Sequence, residues 1–287
     1  MRKIPVRQIT ENFKAPASAE RFKIRTVEGI LAGSDLQQDL HRHDFFFVLL
    51  LQHGDGTHEI DFMPFQVLDQ SIFFLRPGQV HQLQLKRGST GYLMEFNNEF
   101  YHPTEKASSQ RLRKASNKNY CALEENRFRK LQSILTQIFQ EYTNREMGYI
   151  DIIKASLEIF FIEFVRQSTN PNSASTNVSS YTQERFEEFV EWLDKLITTH
   201  KQVSQYTGLM NLSTYQLNEI TKAAVGKTPS ELINDQIILE AKRYLLATPN
   251  QVKDIADHLG YEDVSYFIRF FKKHTGFSPE AFRHNPS

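Results

Sequence analysis

The stretch VKDIADHLGYEDVSYFIRFFKKHTGFSPEAFR, residues 252–283, decides the fold of the C-terminal part of the chain. Apolar residues three and four positions apart predict one face of a short helix; they are Val252, Ile255, Ala256 and Leu259. Gly260 can take the positive φ that ends a helix, and the Asp263 carboxylate can cap the first turn of a second helix. Two short helices around a tight turn predict a helix–turn–helix unit.

The same kind of unit occurs earlier in the chain, as VSQYTGLMNLSTYQLNEITKAAVGKTPSEL beginning at Val203. Residues 203–212 precede 252–261 by 49 positions, and later counterparts, such as Leu217 and Phe267, are 50 positions apart. The shift of one residue falls at the turn, where an insertion is tolerated best. Recurring apolar spacing, caps and turns therefore predict two similar helical units rather than a generic helical bundle.

Residues 183–284 resemble the DNA-binding domain of the AraC/XylS family of bacterial transcription regulators. The second unit carries the motifs of that family: IA at 255–256, LGY at 259–261, SYF at 265–267, FKK at 271–273, TG at 275–276, SP at 278–279 and FR at 282–283. Residues 229–247 resemble the long linker helix of the family, which at ~1.5 Å per residue spans about 25–28 Å. The resemblance implies double-stranded promoter DNA as a partner, two successive major grooves read per monomer, and RNA polymerase as a further partner.

Candidate DNA-contacting residues follow from the two predicted second helices. In the first unit, Tyr215, Asn218 and Glu219 are expected on the exposed face. In the second unit, the resemblance implies base contacts from Val264, Ser265 and Arg269, with Lys272 and Lys273 nearer to phosphate. The alternative for Arg269 is an ordinary solvated charge on a helix face.

The chain departs from the family pattern at three positions. Glu219 and Ile237 stand where the family usually has Arg, and Thr221 stands where it usually has Phe. Residues 181–287 contain 12 Lys and Arg against 14 Asp and Glu, which is not the strongly basic footprint typical of a DNA-binding domain. We therefore expect modest non-specific affinity, with positive charge concentrated after Val264.

Composition sets the outer bounds. The chain has 287 residues, 34 basic and 34 acidic side chains, and a single cysteine, Cys121. The length favours two domains, and one cysteine excludes an internal disulfide framework and indicates a reducing compartment. No apolar run approaches the ~20 residues of a membrane-spanning helix. We expect a soluble, cytoplasmic protein without contact to a membrane.

Short strands are predicted between residues 41 and 100, separated by Pro-Gly and Gly-Ser turns, and their spacing indicates a sandwich or barrel. The segments HRHDFFFVLLL (41–51), LRPGQVHQL (75–83) and YLMEFNNEF (92–100) resemble the cupin-type ligand-binding domain at the N-terminus of many AraC/XylS regulators. The expected fold thus has two domains. An all-β cupin-like barrel with trailing helices precedes an all-α domain whose two helix–turn–helix units are joined by a long helix.

The expected boundaries are residues 1–167 for ligand sensing and dimerisation, 168–182 for a flexible linker, and 183–287 for DNA binding. The linker is predicted because STNPNSASTNVSSYT is rich in Ser, Asn and Thr and poor in apolar residues. Two amphipathic helices are predicted at 123–142 and 150–164. The family resemblance implies that helices 123–165 hold a homodimer together; the alternative is that their apolar stripe covers the barrel.

The effector, a small molecule of unknown identity, is expected inside the barrel. Seven residues are predicted to bind it: His41, His43, Phe45, Phe47, Phe73, His81 and Met94. Metal-dependent cupins bind their ion with an HxH pair, a Glu and a later His, and three histidines match that pattern. No carboxylate occurs between Phe45 and Leu51, so we predict no metal and no cofactor, and interpret the histidines as hydrogen-bonding groups of a sensor pocket. A zinc or nickel site is the alternative.

Three functions follow from these patterns. The favoured one is a ligand-responsive transcription regulator without enzymatic activity. The second is a metal-dependent cupin enzyme with an accessory helical domain, which stoichiometric metal in the purified protein would distinguish. The third is a DNA-binding protein whose barrel only dimerises, which differs from the first in having no ligand.

Overall fold

The computed structural model describes residues 4–7, 9, 21–103, 105–168 and 180–284. The described residues divide into two compact units: those of residues 5–168 form the first, and those of residues 180–284 together with Ile4 form the second. Residues 169–179, which form most of the predicted linker 168–182, lie outside the described residues. A β-rich first unit and a helical second unit confirm the predicted fold class.

The first unit contains ten strands and four helices among its described residues. The strands are β1 (Val6–Arg7), β2 (Phe22–Thr26), β3 (Leu36–His43), β4 (Phe46–His53), β5 (Gly56–Ile60), β6 (Met63–Val67), β7 (Ser71–Leu75), β8 (Val80–Leu85), β9 (Thr90–Phe96) and β10 (Tyr120–Ala122). The helices are α1 (Val27–Leu31), α2 (Lys106–Ser116), α3 (Glu125–Asn144) and α4 (Tyr149–Ser168). The strands form two five-stranded sheets, in the orders β1-β3-β8-β5-β6 and β10-β7-β4-β9-β2.

Strand β4 shows why the run Phe45–Leu51 is continuously apolar. Its odd-numbered side chains, Phe47, Leu49 and Leu51, belong to a core shared by both sheets. Its even-numbered side chains, Phe46, Val48 and Leu50, belong to a second core with α2, α3 and α4. Because successive side chains of a strand point to opposite faces, a strand between two cores needs apolar residues at every position.

The apolar stripes of α3 and α4 pack inside their own domain. Buried residues of α3 include Phe128, Leu131, Leu135 and Ile138, and those of α4 include Ile153, Leu157, Phe160, Phe161 and Phe164. All of them belong to the core on the outer face of the second sheet. The prediction that this stripe forms a dimer contact was therefore wrong for these side chains, because they cover the sheet. Two other apolar side chains of α4, Ile152 and Ile159, are 38% and 53% exposed.

The second unit contains seven helices among its described residues: α5 (Ser180–Leu196), α6 (Val203–Met210), α7 (Thr214–Val225), α8 (Pro229–Ala247), α9 (Val252–His258), α10 (Val264–Thr275) and α11 (Pro279–His284). Helix α8 has the predicted bounds. It begins at a capping box, in which the Thr228 hydroxyl accepts a hydrogen bond from the Glu231 amide and the Glu231 carboxylate accepts one from the Thr228 amide. In the part of the chain that the structure describes, no helix is both long and apolar enough to span a membrane.

Candidate nucleic-acid interface and effector pocket

The two helix–turn–helix units are α6–α7 and α9–α10, and their turns are closed by the same hydrogen bond. The Leu212 amide donates to the Thr207 carbonyl oxygen at 3.0 Å, and the Tyr261 amide donates to the Ala256 carbonyl oxygen at 2.9 Å. These bonds connect residues that the 49-residue repeat makes equivalent. The duplication seen in the sequence is therefore a duplication of the turn itself.

Helix α7 presents two of the three predicted residues of the first unit, Tyr215 and Glu219, towards solvent. A capping box sets its start, since the Gln216 amide donates to the Ser213 hydroxyl at 3.2 Å and the Ser213 amide donates to the Gln216 side chain at 2.8 Å. Tyr215 is 73% exposed, Glu219 is exposed and Asn218 is half-buried. Leu217 lies between them and is fully buried.

Helix α10 presents Ser265, Arg269, Lys272 and Lys273 towards solvent, whereas Val264 is half-buried. The Asp263 carboxylate caps the helix by accepting from the Ser265 amide at 2.8 Å, and its other oxygen lies 3.8 Å from Arg269 Nη2. Both side chains of this ion pair are largely exposed, so it is worth at most about 1 kcal/mol. A DNA acceptor can therefore compete with Asp263 for the Arg269 guanidinium.

Two residues of the second unit differ from what the sequence indicated. Tyr266 was not among the predicted contacts, yet it is exposed; its position three residues before Arg269 places both on one helix face and could have revealed it. Arg283 does not add to the exposed positive charge of α10, because it donates from Nε to the Leu245 carbonyl oxygen at 3.1 Å and from Nη2 to the Asn250 carbonyl oxygen. Arg283 thus satisfies the C-terminal end of α8 and the loop after it.

Four histidines lie between the two sheets of the first unit. His43 Nε2 is 2.7 Å from His81 Nε2, and His81 Nδ1 is 2.8 Å from His58 Nε2. His41 is buried beside them, with its ring centroid 4.4 Å from that of His81. His58 was missed in the sequence, although the alternation of Thr57 and Glu59 with His58 and Ile60 places His58 on the inner face.

Burial keeps these imidazoles neutral. Desolvation lowers the pKa of His43 and of His58 to about 3, and it also lowers the pKa of His41 and of His81. A neutral imidazole has one donor and one acceptor nitrogen. His81 therefore donates to one neighbour and accepts from the other, and the chain His43–His81–His58 has a direction.

Three of these histidines could also hold a metal. His41, His43 and His81 each offer a ring nitrogen within 4.8 Å of the others. Tetrahedral zinc at 2.0–2.1 Å from each nitrogen would separate two ligand nitrogens by about 3.3 Å. The 2.7 Å between His43 and His81 is shorter than that and is a hydrogen-bond distance. The arrangement supports hydrogen-bonded histidines over a preformed metal centre.

A cavity of about 400 Å³ lies in the first unit, lined by residues of β1 and β3 from one sheet and of β2 and β9 from the other. Three predicted ligand-binding residues line it, namely His43, Phe45 and Phe47. Phe73 belongs to the same inter-sheet core. The basic residues of the lining, Arg7, Lys23 and Arg25, were missed; in FKIRT, the alternation around Ile24 already places Lys23 and Arg25 on one face.

Met94 was predicted to face the same pocket, and this prediction was wrong. Met94 packs in the core with the helices, on the opposite face of β9 from Leu93 and Glu95, which line the cavity. Both Leu93 and Met94 are apolar because β9 is covered on both faces, so the alternation along this strand could not show which of them points inward.

Two protein-family models match the chain over most of its length. The "AraC-like ligand binding domain" model matches residues 26–148, and the "Helix-turn-helix domain" model matches residues 206–285. The first range covers β3 to β10 and α1 to α3, and the second covers most of α6 and all of α7 to α11. The chain belongs to the AraC/XylS family.

Curated relatives of this AraC/XylS-family protein include the HTH-type transcriptional activator RhaS of Escherichia fergusonii. It is 21% identical over 267 residues, which cover 85% of this chain and 86% of RhaS. RhaS of Escherichia coli K12 is 23% identical over 249 residues with the same coverage.

Similar solved structures include ToxT from Vibrio cholerae, with a TM-score of 0.43, 15% identity, and coverage of 92% of this chain and 98% of that chain. The DNA-binding domain of AdpA in complex with a target DNA has a TM-score of 0.32 and 22% identity, and covers 34% of this chain and 87% of that chain.

Proposed function

We propose that this AraC/XylS-family regulator binds promoter DNA through two successive major grooves, one for each helix–turn–helix unit. The observation that carries the proposal is the pair of identically closed turns joined by α8, whose 19 residues span about 28 Å. Recognition helices that enter adjacent major grooves on one side of the duplex must lie about one DNA turn, ~34 Å, apart. A rigid helix of this length, together with the helices at its ends, suits that separation.

The proposed division of contacts follows the exposure of the two recognition helices. In α10, Arg269 reads guanine, Ser265 and Val264 lie near the bases, and Lys272 and Lys273 bind phosphate. In α7, Tyr215, Asn218 and Glu219 form the reading face. RNA polymerase as a further partner, a linker between α4 and α5 and a cytoplasmic location are proposals that follow from the family resemblance and composition.

We propose that the first unit binds a small-molecule effector and forms the homodimer. The effector proposal is supported by the cavity between the sheets, whose volume of about 400 Å³ is within the usual range for ligand pockets. The dimer proposal is supported by Ile152 and Ile159 of α4, which lie seven residues apart on one helix face and are exposed. An effector changes transcription only if it binds one arrangement of the dimer better than another.

Enrichment of bound fragments from random DNA by the full-length chain tests this function. We expect a recovered site with two recognition elements separated by about one helical turn, 10–10.5 base pairs. Arg269→Ala should abolish the preference within one element, whereas Arg129→Ala, which changes an exposed arginine of α3, should not alter it. Recovery of unrelated sequences by the unsubstituted protein would contradict the proposal.

The histidine cluster supports a second candidate function, that of a metal-dependent enzyme. Metal content measured on the purified chain decides it. We expect substoichiometric metal, because the 2.7 Å His43–His81 separation is that of a hydrogen bond. Stoichiometric zinc or nickel that is lost in the His43→Ala/His81→Ala variant would favour the metal site instead.

A further inference from the structure

We propose that the cavity in the first unit takes a small monocarboxylate, held by Arg25 and Arg7 with its apolar body against Phe45 and Phe47. The inference rests on the proposed function, because it names the chemical class of the effector. The carboxylate would accept hydrogen bonds from arginine, and the aromatic side chains would exclude water from the rest of the molecule.

The charge of the lining favours an anion. Among the residues that the structure describes, Arg7, Lys23 and Arg25 line the cavity together with one carboxylate, that of Glu95. Glu95 is buried and accepts a hydrogen bond from Arg25 Nη2 at 3.2 Å, so it neutralises only part of this positive charge. Opposite charge in a partly dry cleft is where electrostatic attraction of a ligand is strongest.

Three polar atoms of the lining residues lack partners within the described ranges, namely Arg25 Nε, Gln38 Oε1 and His43 Nδ1. All three atoms are buried. Buried polar groups of folded proteins are nearly always paired, so each of these atoms calls for a group from outside the domain. The Nε–H requires an acceptor, which a carboxylate supplies with charge assistance, and Oε1 requires a donor such as a ligand hydroxyl.

Glu95 also limits the charge that the ligand can carry. It lines the same cavity as Arg25, so a bound anion lies close to its carboxylate. Like charges in a poorly solvated site repel each other, and a doubly charged phosphate would be repelled more than a carboxylate. With one arginine already partly occupied by Glu95, the site suits a single negative charge.

The remaining walls require an apolar and compact ligand. Phe45 and Phe47 are each almost fully buried, and Ile30 and Leu93 complete the apolar lining. A cavity of about 400 Å³ is at the small end of ligand pockets. The size favours an aromatic or short aliphatic acid, with a hydroxyl group if Gln38 is to be paired.

Isothermal titration calorimetry on the full-length chain tests the inference with benzoate, 4-hydroxybenzoate and hexanoate, each beside its uncharged amide. We expect at least one acid to bind and its amide to bind at least about tenfold more weakly, since the amide lacks the charge that strengthens the arginine hydrogen bonds. Arg25→Gln should weaken that acid about tenfold to a hundredfold. Arg129→Gln, which removes an exposed charge on α3, should leave its affinity unchanged.

Two additional variants separate ligand binding from folding. Arg25→Gln leaves Glu95 without its ion-pair partner, so Arg25→Gln/Glu95→Gln, in which both groups are neutral, should fold and still fail to bind the acid. Arg7→Gln changes an exposed side chain and should weaken the acid with unaltered thermal stability. Equal affinity for acid and amide, equal affinity for inorganic phosphate, undiminished affinity in these variants, or no binding of any acid would overturn the inference.

DNA binding by the same preparations, on the site recovered by enrichment, distinguishes the two proposals. If none of the acids binds while specific DNA binding is intact, the proposal of a carboxylate effector is wrong and the proposed regulator function is unaffected. If an acid binds through Arg25 but the chain does not bind DNA specifically, the proposed regulator function is wrong and the proposed ligand class is unaffected.

Discussion

The two helix–turn–helix units share one turn geometry but tolerate different residues at it. Asn211 ends α6 with φ of 51°, and Gly260 follows α9 with φ of 71°, so both adopt the left-handed conformation. Asn211 is exposed. At Gly260 a Cβ would overlap the carbonyl oxygen of Thr198, in the segment before α6. The turn of the second unit packs against the start of the first, and this close approach leaves room only for glycine.

The units also differ in core and charge. The second is built around aromatic rings, with Phe267 5.3 Å from Tyr261 and 6.1 Å from Phe271 between centroids, where the first has Leu217. Helix α10 carries one Arg, two Lys and no acidic residue, whereas α7 carries one Glu and one Lys. We infer that the second unit supplies most of the electrostatic affinity for DNA, and that the first contributes mainly through hydrogen bonds and shape.

The largest expected difference between the units is in their cores. Phe267→Ala should lower the free energy of unfolding by about 3–5 kcal/mol, because it removes a buried ring from an aromatic cluster. Leu217→Ala at the equivalent position should cost less, about 2–4 kcal/mol, because a smaller side chain leaves a smaller cavity. Chemical denaturation of the full-length chain measures both. An exposed control, Tyr266→Ala, should stay within about 0.5 kcal/mol, and equal losses at 217 and 267 would remove this part of the comparison.

The second largest difference between the units is expected at their turns. Gly260→Ala should cost about 2–4 kcal/mol, since it combines an unfavourable left-handed conformation with overlap against the Thr198 carbonyl. Asn211→Gly should change stability by less than about 0.5 kcal/mol, because Asn211 is exposed and glycine takes the same left-handed conformation without strain. Thermal melting of matched samples measures the difference. Similar, small effects of both substitutions would show that the two turns tolerate substitution equally well at this position.

The second unit should also contribute more of the affinity for DNA than the first. Arg269→Ala should cost about 1–3 kcal/mol on the recovered site and much less on random DNA, because a bidentate contact to guanine is lost. Lys272→Gln should weaken all sequences similarly and reduce the slope of log K against log salt by about 0.9. Titrations at several salt concentrations measure both. Equal losses of Arg269→Ala on specific and random DNA would place Arg269 at the phosphates.

The smallest effect is expected at Glu219 of the first unit. Glu219→Gln should tighten binding to every sequence by less than about 1 kcal/mol, because an exposed carboxylate that repels phosphate is neutralised. The alternative is that Glu219 accepts a hydrogen bond from cytosine N4. In that event the substitution would weaken binding and relax the preference at one base pair, which competition between site variants would detect.

The C-terminal half shows how far sequence patterns reach. Local spacing predicts the bounds of α8, the caps Ser213 and Thr228, and the core positions Leu217 and Phe267, because a helix forms its backbone hydrogen bonds within one segment.

In the first unit, helix α2 was missed because KASSQRLRKAS is mostly polar and buries few apolar side chains, among them Leu112 and Ala115. Its position depends on packing against α4 and β7, which no local pattern specifies.

The sequence by itself determined the duplication, the long helix between the two units and the family, since each depends on residues close together along the chain. Tertiary structure alone decided which faces of β2 and β9 point inward. It also brought His58 to His81 and placed Arg7, Arg25 and Glu95 around one cavity. The physical reason is that a strand's partners come from distant parts of the chain, so the register of the sheets, and not the spacing of residues, brings these side chains together.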